Sequence, residues 1–282
     1  MPTYILPPRQ TLSRDPTLFP LLTDGTREVH LEHATHYPLT IALAEGERAP
    51  LLVGGVATRQ ELDRIAAGCA AAMLSRHAGK RLLLVELLEG ASYFCSQLAA
   101  CLEVEKGAAC CTLTYAALKI SSYQDGSRAT SHQVGRPLHD RLGRPLLDLA
   151  PFDTICVVDD LIDAGATFAW LVTEYLPAFS PANVEGYFML DKERPRKPRI
   201  AELLDRCQPV IGKLVPDQWL VGYGPDITIQ GGPANGPLHL FRGELPGGVY
   251  AFNHAIERQL TTAYQRQPRR VLAQLAPYIS AR

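Results

Sequence analysis

The sequence carries almost no net charge: 28 Lys and Arg against 29 Asp and Glu leave −1 over 282 residues. No global field draws the chain to nucleic acid or acidic lipid, and either role would need a local patch. No apolar run approaches the length that spans a bilayer. The opening MPTYILPPRQTLSRDP has no charged segment followed by an apolar one, so the reading is a soluble, cytoplasmic protein. The seven cysteines include no CxxC pair and lie in apolar stretches, which reads as reduced, mostly buried thiols. Cys110 and Cys111 read as core residues, since adjacent cysteines rarely close a relaxed disulfide. Internal repeats and low-complexity linkers are missing too. What remains is 46% hydrophobic residues, enough for a sizeable core. At about 150 residues per domain this means one domain with extensions or two small ones.

Residues 1–50 are rich in Pro and Thr, with a strand-like EVHLEHATHYPLTIAL. They read as an N-terminal extension, a hood or oligomer element. His30, His33 and His36 are spaced by three, but a strand alternates faces and the spacing argues against a metal site. Thr58 followed by Glu61 is a capping box that opens a helix closing at Gly79. A strand at RLLLVELL, a glycine-bearing turn, a helix to about Val104 and a strand at TLTYAALKIS follow, the rhythm of a parallel α/β sheet. SSYQDGSRATSHQVGR is polar without periodicity and predicts a mobile surface loop. Strands at Ile155–Val158, VEGYFML and QWLVGYG come next, and the tail from Val249 reads as helical, broken at Pro268. The expected division is an extension over 1–50, one α/β domain over 51–245 and a helical tail over 246–282.

The chemistry concentrates in VVDDLIDAGAT. Asp159 and Asp160 stand at the carboxyl end of a buried strand, where open α/β sheets bind ligands. The turn after them aims unpaired backbone N–H groups and the Thr167 hydroxyl at the space over a helix start, an anion cradle. Adjacent carboxylates suit the two hydroxyls of a ribose or a Mg²⁺ ion, so the site reads as one for a phosphorylated ribose.

Ile155, Cys156, Val157, Val158, Asp159, Asp160, Leu161, Ile162, Asp163, Ala164, Gly165, Ala166 and Thr167 resemble the signature of the type I phosphoribosyltransferases. LLEGASYF is similar to the pyrophosphate loop of their hypoxanthine-guanine branch, LKISSY to the start of its flexible lid and VPDQWLVGYGPD to its purine-contacting segment. The resemblance covers residues 51–230 and implies a twisted, mostly parallel sheet flanked by helices, with a small hood. It implies Mg²⁺-dependent transfer of the phosphoribosyl group of 5-phosphoribosyl 1-diphosphate to hypoxanthine or guanine in purine salvage. The partners are then small molecules, with neither membrane nor nucleic acid, and the assembly a homodimer or homotetramer. It further implies that Asp163 faces purine N7 as acid or base and that the main chain from Asp163 through Ala164, Gly165, Ala166 and Thr167 holds the 5′-phosphate. Asp159 and Asp160 hold the ribose hydroxyls, and Glu89, Gly90, Ser122 and Tyr123 line the diphosphate. Lys192 donates to the 6-oxo group, Trp219 stacks on the purine, the Leu220 main chain reads the ring edge, and Asp226 and Asp160 serve Mg²⁺. An ammonium at the rim favours an oxo group over an amine, so adenine should be a poor substrate. Another fused heterocycle, or a ribose-diphosphate-sensing regulator on the same fold, is the alternative.

Three departures stand out. Glu89 replaces the lysine usual in the pyrophosphate loop; the expected reading is that its side chain points away while the backbone N–H binds, the alternative a shifted metal requirement. Ala166 replaces a lysine of some members, and Gly232 an arginine for which Arg242 is a candidate substitute. The cluster Lys192, Arg194, Arg196, Lys197 and Arg199 contains two prolines and reads as a solvated loop beside the site rather than a nucleic-acid patch.

Overall fold

Helix α1 (Arg59–Arg76) begins where Thr58 and Glu61 satisfy each other's main chain. In the computed structural model the Thr58 N–H donates to Glu61 Oε2 at 2.9 Å and the Glu61 N–H to Thr58 Oγ1 at 3.2 Å, the reciprocal bonds the spacing predicts. Gly79, with φ 73°, follows the helix end. The structure describes residues 2–8, 11–15, 18, 29–30, 36–37, 40–44, 47–124, 130–231, 236–241, 245, 248–276 and 279. They fall into two compact units, Met1–Pro8 with Asp63–Val215, and Arg9–Leu62 with Pro216–Arg282.

The first unit is built on seven strands: β1 (Thr3–Tyr4), β2 (Arg81–Leu88), β3 (Thr112–Gln124), β4 (Thr130–Asp140), β5 (Thr154–Ile162), β6 (Val184–Glu193) and β7 (Val210–Pro216). Their order is β1-β7-β6-β5-β2-β3-β4. β1 pairs with β7, β5 with β6 and β2 with both β5 and β3 in parallel, and β4 runs antiparallel on β3. Strands buried on both faces require continuous apolar runs rather than alternation, and Leu82–Val85 and Ile155–Val158 are such runs, fully buried. Helix α2 (Ser92–Ala109) follows β2, five residues longer than the sequence suggests. Helix α3 (Ala166–Trp170) follows β5 and widens into a π turn over Leu171–Tyr175 before a 3₁₀ turn over Leu176–Phe179. Helix α4 (Pro198–Cys207) connects β6 to β7, with Leu203 and Leu204 buried. Phe168 packs edge-on to Phe188 at 5.3 Å, joining α3 to the sheet.

The second unit holds a sheet of Leu220–Val221, Gly248–Phe252 and Leu52–Thr58, and hairpins of Ile227–Ile229 with Leu238–Leu240 and of Thr40–Ala44 with Glu47–Pro50. Helices α5 (Glu257–Arg266) and α6 (Pro268–Leu275) bury Leu260, Tyr264, Val271 and Leu275 in its core.

Three sequence expectations change here. The segment over 121–136 extends β3 and β4 into a hairpin on both sides of residues 125–129, which lie outside the described residues. Main-chain pairing across the two strands, rather than an alternating side-chain pattern, makes this segment a ladder. Val249 belongs to a strand, with helix only from His254; Gly248–Phe252 is buried throughout and pairs antiparallel with Leu52–Thr58. The tail therefore shares a sheet with Leu52–Thr58, and a boundary at 246 separates these hydrogen-bonded strands. His30 pairs in register with His36, while His33 lies outside the described residues; among the described residues no group of three or more His, Cys, Asp or Glu is arranged to hold a metal. Among those residues also, no helix is long and apolar enough to cross a membrane.

A buried polar network ties the N-terminus into the first unit. Asp191, fully buried on β6, pairs with Arg196 and accepts a hydrogen bond from Tyr4 Oη at 2.7 Å. Burial raises the Asp191 carboxyl above its usual range, against the bonds from Arg196 and Tyr4. Losing one partner of a buried pair leaves the other charge uncompensated, so Asp191→Ala is expected to cost about 3 kcal/mol in denaturant unfolding. Thr58→Ala, which removes one cap, should cost about 1 kcal/mol in the same measurement.

Candidate active site

Parallel pairing places the exits of β5 and β6 side by side. Asp159 lies opposite Phe188 and Ile162 opposite Asp191, so Asp163 leaves the sheet next to the segment carrying Asp191 and Lys192. The strand continues past the acid pair to Ile162 rather than ending at Val158. Gly165 then takes a left-handed φ of 75°, and a Cβ there would lie 2.9 Å from Ile200 Cγ2, so the turn requires glycine on both counts. Helix α3 begins at the next residue. A cleft of about 230 Å³ is bounded by Asp159, the run from Asp163 through Thr167, and Arg194. Its floor of main chain at a helix start suits an anion.

Two cations hold Asp163. Lys192 Nζ lies 3.2 Å from Oδ2, and Arg194 Nη1 bonds Oδ1. The Lys192 side chain is only 9% exposed against 46% for Asp163, so the ammonium reaches the carboxylate from inside the fold. Burial alone would raise Asp163; the charges of Lys192 and Arg194, with their hydrogen bonds, outweigh it and hold the carboxyl below its usual range. Arg196 donates to the Asp163 carbonyl at 3.1 Å while paired with Asp191, which fixes the main chain of the turn. Sequence reasoning placed Arg194 and Arg196 in a loop beside the site without a role. Their signal was the alternation of Lys192, Arg194 and Arg196, which sets three cations on one side of an extended segment. Tyr4 and Asp191 had no such signal, being 187 residues apart.

The acid pair behaves differently. Burial and the neighbouring Asp160 charge push Asp159 well above the usual carboxylate range. Gly90 is packed against this pair: a Cβ at Gly90 would fall 2.6 Å from Asp160 Oδ2, so the main chain of the LLEGASYF turn rests on the carboxylate. The Leu88–Glu89 peptide is cis. The Glu89 carboxylate turns to Lys119 on β3, with Nζ at 2.6 Å. Ser122 and Tyr123 lie on β3, in register with His132 and Ser131; their side chains are outside the described residues. Oxygen donors alone at Asp159 and Asp160 match a hard divalent ion such as Mg²⁺, whose other ligands would be waters and substrate oxygens.

The purine-segment candidates all lie in the second unit. Trp219 is 43% exposed and its ring lies parallel to that of His254, centroids 5.6 Å apart. Its Nε1–H donates to the Asp226 carbonyl at 3.4 Å, and the Asp226 carboxylate faces His239 Nδ1 at 3.6 Å. Leu220 is buried and pairs with Ala251, and positive φ at Gly222, Tyr223 and Gly224 bends the chain away after Val221. Gly232 and Arg242 lie outside the described residues.

No protein-family model matches the chain. Among curated proteins, it is 25% identical over 170 residues to the hypoxanthine-guanine phosphoribosyltransferase of Staphylococcus aureus, covering 60% of this chain and 83% of that one. It is 30% identical over 161 residues to the enzyme of the same name from Mycobacterium tuberculosis, covering 54% and 65%. Among solved structures, a hypoxanthine phosphoribosyltransferase from Staphylococcus aureus superposes with a TM-score of 0.53 at 23% identity, covering 71% of this chain and 90% of that one. One from Trypanosoma cruzi gives 0.51 at 17%, covering 76% and 98%. With the parallel sheet, the acid pair and the glycine turn in place, the chain has the type I phosphoribosyltransferase fold and is similar in sequence to hypoxanthine-guanine phosphoribosyltransferases.

Proposed function

We propose that the protein transfers the 5-phosphoribosyl group of 5-phosphoribosyl 1-diphosphate to hypoxanthine or guanine, giving IMP or GMP and pyrophosphate. The observation that carries this reading is Asp163 held between Lys192 and Arg194 at the lip of the cradle formed by residues 163–167. The main-chain N–H groups of that turn and the Thr167 hydroxyl bind the 5′-phosphate, and Asp159 and Asp160 accept hydrogen bonds from the two ribose hydroxyls. Those donors offset the burial and the neighbouring Asp160 charge that raise Asp159. Mg²⁺ held at the acid pair would neutralise the departing pyrophosphate.

The bond from ribose C1 to the pyrophosphate oxygen breaks as purine N9 bonds to C1, and the proton on N7 passes to Asp163. An acid kept ionised by two cations is suited to receive it. Lys192 has three N–H donors, enough to serve Asp163 and the 6-oxo group together. Adenine presents an amine there and leaves the ammonium facing a donor. For the base, the resemblance also assigns Trp219, Leu220 and Asp226, and the Trp219 ring is exposed. Purine salvage is the corresponding physiological role.

The decisive assay follows pyrophosphate release with hypoxanthine, guanine, xanthine and adenine in parallel. Turnover is expected with an oxopurine and little with adenine, and Asp163→Asn should lower kcat/KM by about 10²-fold or more; no turnover with any of the four would overturn the reading. The pH profile follows from the charges on Asp163. Activity needs the ionised carboxylate, so it is present above the lowered pKa and is lost as pH falls through it. Arg194→Met removes one of the two cations, and the acidic limb of kcat/KM should move to higher pH; an unmoved limb would show that Asp163 is not the titrating base.

A further inference from the structure

Glu89 puts an acid into the loop that, on the function proposed above, an anionic leaving group must approach. Its carboxylate is answered from the adjacent strand. Leu88 on β2 pairs in register with Lys119 on β3, and the Lys119 ammonium lies 2.6 Å from Glu89 Oε1. The side chains are 44% and 42% exposed, and a solvated pair of this kind adds little to folding stability. Its place is more informative than its strength. The next residue, Gly90, lies with its main chain against Asp160, so the pair stands beside the carboxylates that would hold the ribose end of the same ligand.

We infer that Lys119 is a substrate-positioning residue at the pyrophosphate subsite, supplying from β3 the positive charge that the loop itself lacks, with Glu89 as its anchor. The ammonium has three donors and the contact with Glu89 takes one, which leaves two for phosphate oxygens. As a compact point charge on a flexible stem, lysine binds phosphate without needing the planar geometry an arginine demands. Glu89 alone would repel pyrophosphate. Paired with Lys119 it is neutralised, and the Gly90 N–H remains available to the ligand. The departure at Glu89 is then a relocation of the cation by one strand, with the local charge balance kept.

The test uses Lys119→Met and the reversed pair Glu89→Lys with Lys119→Glu in the full chain, both checked for a native-like thermal midpoint. Calorimetry reads binding of inorganic pyrophosphate with Mg²⁺, and steady-state kinetics read the 5-phosphoribosyl 1-diphosphate KM apart from kcat. Lys119→Met is expected to weaken pyrophosphate binding and raise that KM by about tenfold or more, with a smaller change in kcat. The reversed pair should recover most of the loss. Unchanged pyrophosphate affinity in Lys119→Met, a reversed pair as weak as that variant, or no pyrophosphate binding by the native protein would each overturn the assignment. If the native protein binds pyrophosphate yet turns over no purine, the proposed transfer fails while calorimetry still decides the role of Lys119.

Discussion

Charge compensation at the exits of β5 and β6 is the constraint on which the rest of the site rests. Asp163, Asp191, Lys192, Arg194 and Arg196 come from two neighbouring parallel strands and the turns after them, and each carboxylate has a cation of its own. Asp191 is fully buried and Lys192 nearly so, and at such depth an unmatched charge costs several kcal/mol. The turn from Asp163 to Thr167 cannot move away from the basic segment without exposing that cost. Tyr4 bonds the same Asp191, which makes the first strand of the chain part of the support for the site.

Beside this compensated cluster lies a pair of adjacent acids on β5. Asp159 and Asp160 are adjacent, and burial with mutual repulsion raises Asp159. A packed interior does not gain from such an arrangement, and violations of this kind concentrate at functional sites. Two hydroxyl donors or a hard cation would offset it, as the ribose and the Mg²⁺ of the proposed reaction would. The contact of Gly90 with Asp160 and the pairing of Glu89 with Lys119 connect the turn after β2 to the same place.

Much of this was legible in the sequence because it depends on local rules. The Thr58 and Glu61 box reads directly as a helix start, continuous apolar runs read as buried parallel strands, and two acids followed by a glycine turn read as a ligand site at a strand exit. The hairpin over residues 112–140 was read partly as loop because its outer segment, 121–136, is polar without alternation, and only the pairing of the two strands makes it a ladder. Gly248–Phe252 was read as helical because a run of five buried residues has no period, and only its pairing with Leu52–Thr58 makes it a strand.

Residues within one turn or one strand of each other carry the alternation of strands and helices, the acid pair and the glycine turn at Gly165, and these were readable along the chain. The tertiary structure alone decided which cation answers which acid. Arg194 on Asp163, Lys119 on Glu89, and Tyr4 with Arg196 on Asp191 are separated by 31, 30, 187 and 5 residues. Residue identity gives the sign of a charge, but its partner depends on distance in space, and parallel strands joined by helices bring together side chains whose separation along the chain carries no trace of the contact.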